Sequence, residues 1–243
     1  MILAIALLAA AAAARAPAAP TVDEIVARYV EARGGSATIR SIQTLRQHGH
    51  VTAGPNREAL VMRELKRPNK TRFEFTVQGI TAVFVSDGQR GWQVSPFQGD
   101  VEPRPMAEEV VAEAAEQGDI EGPLVDWKAK GHKIELAGTE TVSGLRTYKL
   151  KVTLKGGDVR YDYVDAKSYR LVRTDSTRQV RGHPLAIVTT FGDFKKTEGA
   201  LFPGHVEVAA EGRPNHLVLT VEKVEINPTL ADTRFAVPAS AKP

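Results

Sequence analysis

The chain of 243 residues contains no cysteine. That absence excludes disulfides, thiol nucleophiles, cysteine-type zinc sites and lipid attachment through an N-terminal cysteine. Aromatics are scarce at 6%, and no lysine or arginine cluster accompanies a formal net charge of only +3. A nucleic-acid surface wants a basic stripe with stacking aromatics, so no nucleic-acid partner is expected. There is no G-x-S-x-G elbow, no S-x-x-K, no phosphate-binding G-x-x-x-x-G-K-[ST] and no dinucleotide fingerprint after a strand. No enzymatic activity, cofactor or metal is therefore expected. What remains is ordinary for a folded protein, with 42% apolar and 25% charged residues, so wholesale disorder is excluded.

Only one long apolar run exists, from Ile2 to Ala14. About 13 residues suits the apolar core of a signal peptide and falls short of the ~20 needed to span a bilayer. Ala16-Pro17-Ala18 fits a small-residue cleavage site. Residues 1–18 are therefore expected to be a signal peptide, and residues 19–243 a single exported domain in the periplasm, soluble after cleavage. Without disulfides such a chain must be stable by its core alone, and ~225 residues suffice to build one.

The pattern after residue 20 predicts a short amphipathic helix. Thr21 and Glu24 form a capping-box pair, Val22, Ile25, Val26, Tyr29 and Val30 share a face, and Gly34-Gly35 supplies the stop. One more helical turn is expected from Ser36 to Ile42. From Thr44 the texture changes to short alternating segments at 44–53, 58–66, 71–77, 80–86 and 90–95, separated by turn residues. Pro105 to Gln117 interrupts them, with Met106, Val110, Val111 and Ala114 at helical spacing among four glutamates. Tyr148, Leu150, Val152 and Leu154 then alternate with lysines and threonine. Val159, Tyr161 and Tyr163 alternate with Arg160 and Asp162. Further strands are expected at 169–178, 184–196, 203–211 and 215–226.

Eleven to twelve strands with hairpin-length links imply an antiparallel sheet, wet on one face and apolar on the other. The fold class predicted is mainly β, an unclosed antiparallel barrel or half-barrel. The first helix and 105–117 are the elements available to cover its apolar concave face.

His48 and His50 lie one residue apart on a strand and so share a face. Such a pair can ligate a metal, but no third ligand stands at a recognisable spacing, and a solvated strand face accounts for both. His183 and His205 sit beside proline and glycine as turn residues do. The acidic residues Glu108, Glu109, Glu113 and Glu116 fit the solvated face of the interrupting helix.

One set of motifs is more specific. Residues 65–73 read Leu-Lys-Arg-Pro-Asn-Lys-Thr-Arg-Phe, and residues 85–97 read Val-Ser-Asp-Gly-Gln-Arg-Gly-Trp-Gln-Val-Ser-Pro-Phe. Gly192-Asp193-Phe194, Leu201-Phe202-Pro203 and the closing Asp232-Thr-Arg-Phe-Ala-Val-Pro accompany them. This series resembles the periplasmic outer-membrane lipoprotein carriers and the wider LolA-like family of lipoprotein-sorting and lipid-binding proteins. The matching motifs cover about a quarter of the chain.

The resemblance implies an unclosed barrel of about eleven strands whose helices form a lid over a hydrophobic cavity. It implies a carrier that takes the acyl chains of a lipoprotein or lipid from an inner-membrane transporter and hands them to an outer-membrane acceptor. An envelope sensor that recognises lipidated or misfolded proteins would have the same fold. By the same resemblance, Arg67 would bond backbone groups of the lid, and Phe73, Phe75, Phe84 and Trp92 would line the cavity and touch the ligand. A filled core would use the same aromatics, so sequence pattern leaves cavity and core as alternatives. The protein is expected to act as a monomer. Its acidic 105–131 region departs from the more apolar lid that a carrier would carry, and its second half is longer.

Overall fold

The computed structural model describes residues 19–54, 57–180 and 182–236. The expected signal peptide lies outside these residues, as do Val237 and Pro238 of the closing motif. Helix α1 (Val22–Ala32) starts as its sequence predicts. The Thr21 hydroxyl accepts the Glu24 amide, and the Glu24 carboxylate accepts the Thr21 amide at 2.7 Å. It ends at Gly34, whose φ of +113° suits glycine. A Cβ at Gly34 would collide with the Gly199 carbonyl, and the same close approach lets Leu201 donate to the Arg33 carbonyl at 2.9 Å. Helix α2 (Ser36–Ser41) follows at once.

The strands are β1 (Thr44–Ala53), β2 (Glu58–Lys66), β3 (Lys70–Val77), β4 (Ile80–Ser86), β5 (Gly91–Ser95) and β6 (Asp100–Pro105). After helix α3 (Glu108–Gln117) come β7 (Lys133–Val142), β8 (Leu145–Thr153), β9 (Val159–Asp165), β10 (Leu171–Val180) and β11 (His183–Gly192). The chain closes with β12 (Lys195–Thr197), β13 (Ala200–Phe202), β14 (His205–Ala210) and β15 (Leu217–Ile226). Thirteen of these form one antiparallel sheet in the order β6-β5-β4-β3-β2-β1-β15-β14-β11-β10-β9-β8-β7. Two meanders thus meet where the first and last strands pair. The sheet does not close, because β6 and β7 remain its edges. Helix α3 and the irregular segment 118–132 carry the chain from one edge to the other.

Three details differ from the sequence pattern. Strand β7 was not expected, because only Ile134 and Leu136 alternate before the register shift at Gly138. Residues 100–105 are extended and helix α3 begins only at Glu108, since Pro103 and Pro105 fit an edge strand, which needs no inward amide. The expected strand 184–196 stops at Gly192. Residues 195–202 fold into a separate two-stranded hairpin, β12–β13, turning through Glu198 and Gly199 at positive φ.

The packing divides by face. On the inner face, α1, α2 and Leu124-Val125 bury Ile25, Val26, Tyr29 and Ile39 against Leu150, Val152 and Val164 of β8 and β9. A second cluster joins Ile42, Leu45, Leu65, Ile120 and Phe202. On the outer face, the C-terminal segment 228–236 forms a strap across β2–β5. It buries Leu230 and Phe235 against Val85 and Trp92. Lys66 holds the Leu230 carbonyl at 2.9 Å, and Arg234 reaches the fully buried Glu64 carboxylate at 2.6 Å.

Candidate functional site

Pairing registers decide which side chains face the lid. Arg63 stands opposite Phe73, Val61 opposite Phe75, and Phe73 opposite Phe84. These share the inner face with Leu45 and Leu65, which pack beneath the segment after α3. Phe73 and Phe75 meet edge-to-face with ring centroids 4.2 Å apart, and Phe75 meets Phe84 at 6.1 Å. Across the sheet, Ile187, Val206 and Leu219 occupy the same face by register. Phe73, Phe75, Phe84, Ile187, Val206 and Leu219 are all only half-buried. The apolar wall is therefore not packed as the two inner-face clusters are.

Trp92 is a correction to the expected wall. It pairs with Val85, which puts it on the outer face, and its indole N–H donates to the Ala236 carbonyl at 2.8 Å. The alternation along β5 places Gln93, and not Trp92, on the inner side. Trp92 anchors the C-terminal strap.

Helix α3 packs over β3 and β4 on the inner face. Its end at Gly118 lies so close to the Asn69 carbonyl that a Cβ there would collide. The helix also touches the far wall, through Glu116 to Arg160 on β9 and Arg178 on β10. Six inter-strand steps separate β3 from β10, roughly 29 Å on a flat sheet. A helix only about 10–12 Å across bridges that span only if the sheet curls around it. The inner face is concave, as a half-barrel requires.

The segment after α3 is fastened by cations. Arg67 donates to the Ile42 carbonyl at 2.6 Å and the Ile39 carbonyl at 3.1 Å, and pairs with Glu121 at 2.9 Å. One guanidinium thus ties the end of α2 to the lid segment, as its rigid fork of five donors allows. Arg33 donates to the carbonyls of Ile120 and Glu121. Lys130 pairs with Asp119 and with Glu121 and bonds the Gly122 carbonyl.

Sequence reasoning missed a polar group on the concave face. Arg63 donates to the Gln117 carbonyl at 2.6 Å and lies 3.4 Å from the Gln47 side-chain oxygen. Among the described residues it has no carboxylate within ion-pair distance. Burial pulls its guanidinium down to about 10, which still leaves it charged at neutral pH. On β9, Arg160 bonds the fully buried Asp162, which also accepts from Thr174. Burial opposes the Arg160 charge, but Asp162 and Glu116 more than offset it and hold the group above its ordinary value. The missed signal was phase. Arg63 falls between Val61 and Leu65 on the apolar side of β2, where a solvated arginine has no place.

His48 and His50 share the outer face, where His50 lies 3.1 Å from Glu222 and His48 3.9 Å from Glu225. Among the described residues no group of three or more potential ligands is arranged to hold a metal. No helix among them is long and apolar enough to cross a membrane.

No family model and no curated protein matches the sequence. Solved structures do match it in fold. A DUF1329 family protein from Desulfovibrio piger is 14% identical, with a TM-score of 0.60 over 88% of this chain and 97% of that one. A LolA superfamily protein from Nitrosomonas europaea is 15% identical, with a TM-score of 0.57 over 90% and 99%. A domain assigned as an outer-membrane lipoprotein-sorting protein from Vibrio parahaemolyticus is 11% identical, with a TM-score of 0.58 over 86% and 94%. Identities this low speak to architecture alone. An unclosed antiparallel half-barrel, helices on its concave side and these matches together give this chain the LolA-like fold.

Proposed function

We propose that this protein is a periplasmic carrier that shelters acyl chains of lipoproteins or lipids against its concave face, beneath α3 and the segment that follows it. The observation that carries this reading is the half-buried wall of Phe73, Phe75, Phe84, Ile187, Val206 and Leu219 beside a cover that polar contacts help to fasten, with Ile120, Leu124 and Val125 packed into the two inner clusters. Each methylene that moves from water onto such a wall contributes about 0.8 kcal/mol, so chain length alone gives affinity without polar specificity. Binding, not catalysis, is the work proposed. Residues 1–18 would direct export and be removed, and residues 19–243 would act as one soluble domain, a monomer. An inner-membrane transporter would supply the cargo and an outer-membrane acceptor would receive it.

Arg67 is the proposed latch. Arg67→Leu removes two carbonyl bonds and one ion pair, while Glu121 keeps Lys130 as a partner. A lid held less firmly raises the fraction of binding-competent protein, so apparent affinity for a fluorescent fatty acid is expected to rise by roughly tenfold and release to slow. Far-ultraviolet circular dichroism should stay unchanged. No binding of the probe by the wild-type chain, together with no lipid bound in native mass spectrometry, would sink the carrier reading.

A further inference from the structure

The lid helix turns Glu113 and Glu116 toward the sheet, while Glu108 and Glu109 stay exposed. One carboxylate oxygen of Glu116 lies 3.1 Å from Arg160, and the other lies 3.0 Å from Arg178. Glu113 stands 3.8 Å from Arg178, and the helix ends on the Gln117 carbonyl held by Arg63. Three guanidinium groups from opposite walls of the half-barrel therefore converge on one short helix.

The charge balance depends on that helix. With α3 in place, Arg63, Arg160 and Arg178 share the concave face with Asp162, Glu113 and Glu116. Lifting α3 removes both glutamates and the Gln117 carbonyl. Among the described residues that pair with these arginines, Asp162 alone stays, already engaged by Arg160 and Thr174. Arg178 then has no carboxylate among the described residues, and Arg63 has none in either state. Both stand beside apolar neighbours, Arg63 opposite Phe73 and Arg178 opposite Leu185. A neutral guest that covers this wall and shuts out water leaves those cations buried without a counter-charge, whereas an anionic guest replaces the carboxylates that left.

We propose that the concave face selects anionic amphiphiles. The carboxylate or phosphate of the head group takes the place of the Glu116 carboxylate between Arg160 and Arg178, and the alkyl chain lies along Phe73, Phe75 and Phe84. The inference rests on the carrier reading and narrows its ligand class. Glu116 is then an internal stand-in for the head group, and ligand entry and lid release are one exchange of anions. The acidic lid, which set this chain apart from an apolar carrier lid, acquires a purpose.

The test compares laurate, dodecyl phosphate, dodecanol and inorganic phosphate as competitors of a neutral fluorescent alkyl probe on the full mature chain. Laurate and dodecyl phosphate are expected to bind about tenfold more tightly than dodecanol, the scale of one or two charge-assisted hydrogen bonds. Glu116→Gln should tighten laurate more than it tightens dodecanol. Arg178→Gln should erase the preference for laurate over dodecanol, whereas Arg178→Lys should keep most of it. Thermal unfolding of each variant checks the fold, and Glu116→Gln with Arg178→Lys carries the test if Arg178→Gln does not fold. Equal affinity for laurate and dodecanol in the wild-type chain, or laurate affinity unmoved by Glu116→Gln, overturns the inference while the carrier reading stands. Displacement of laurate by inorganic phosphate at comparable concentration also overturns it, since a free-anion site needs no alkyl chain. Failure of every alkyl ligand to bind overturns both readings.

Discussion

Phe235→Ala is expected to lower the unfolding free energy by about 3–5 kcal/mol, the usual cost of emptying a buried aromatic site. Phe235 is only 1% exposed, and with Leu230 it supplies the strap's apolar contacts to Val85 and Trp92. The strap cannot easily collapse into the gap. Its backbone is pinned by Trp92 at Ala236, Arg72 at the Arg234 carbonyl and Lys66 at the Leu230 carbonyl. Urea denaturation measures the loss. Trp92 reports on the site, because a loosened strap wets its indole and shifts its emission to the red; Trp127→Phe removes the other tryptophan from the signal. A loss below about 1 kcal/mol, with unshifted emission, would show that the strap is not part of the stable fold.

The second large effect lies on the concave face. Arg160→Leu leaves the fully buried Asp162 carboxyl group with only Thr174 to satisfy it among the described residues, and is expected to cost about 3–5 kcal/mol. Replacing both residues, Arg160→Leu with Asp162→Leu, should recover most of that loss. A buried pair is costly to break yet contributes little net stability against an apolar pair of similar volume. Urea curves for the two single variants and the double variant give the coupling directly. If the double variant is no more stable than Arg160→Leu alone, the pair is not the source of the effect.

Much of the scaffold was readable because its local signals agree. The Thr21–Glu24 capping box, the Gly34-Gly35 stop and the hairpin turns place α1 and β1–β5 almost to the residue. Strand β7 was missed because an exposed edge strand has little reason to alternate. The inner face of β9 was misleading for a different reason. Tyr161 and Tyr163 look like the apolar side of that strand, yet they face outward, where Lys149 sits over both rings and Arg173 over that of Tyr163. Lysine stems and cation–π contacts bury tyrosine on a charged surface, so the apolar phase slips between β8 and β9. Arg160 and Asp162 then turn inward, and the polar part of the site went with them. Trp92 was misplaced by the same kind of ambiguity, since a second small core beneath the strap takes aromatics as readily as a cavity wall does.

Helix α3 and residues 118–132 join strand β6 to strand β7, the two free margins of the sheet. A flap hinged at one side swings without regard to the body it covers. This one is spliced into both margins and behaves as a belt of fixed length. Raising it draws the margins together or uncoils the belt, and spreading the margins pulls it taut. The width of the mouth and the height of the cover are therefore one mechanical coordinate. A bulky guest that forces the walls apart tightens the very segment that must yield. A single peptide cleavage within 118–132 would turn the belt back into a flap and uncouple the two motions.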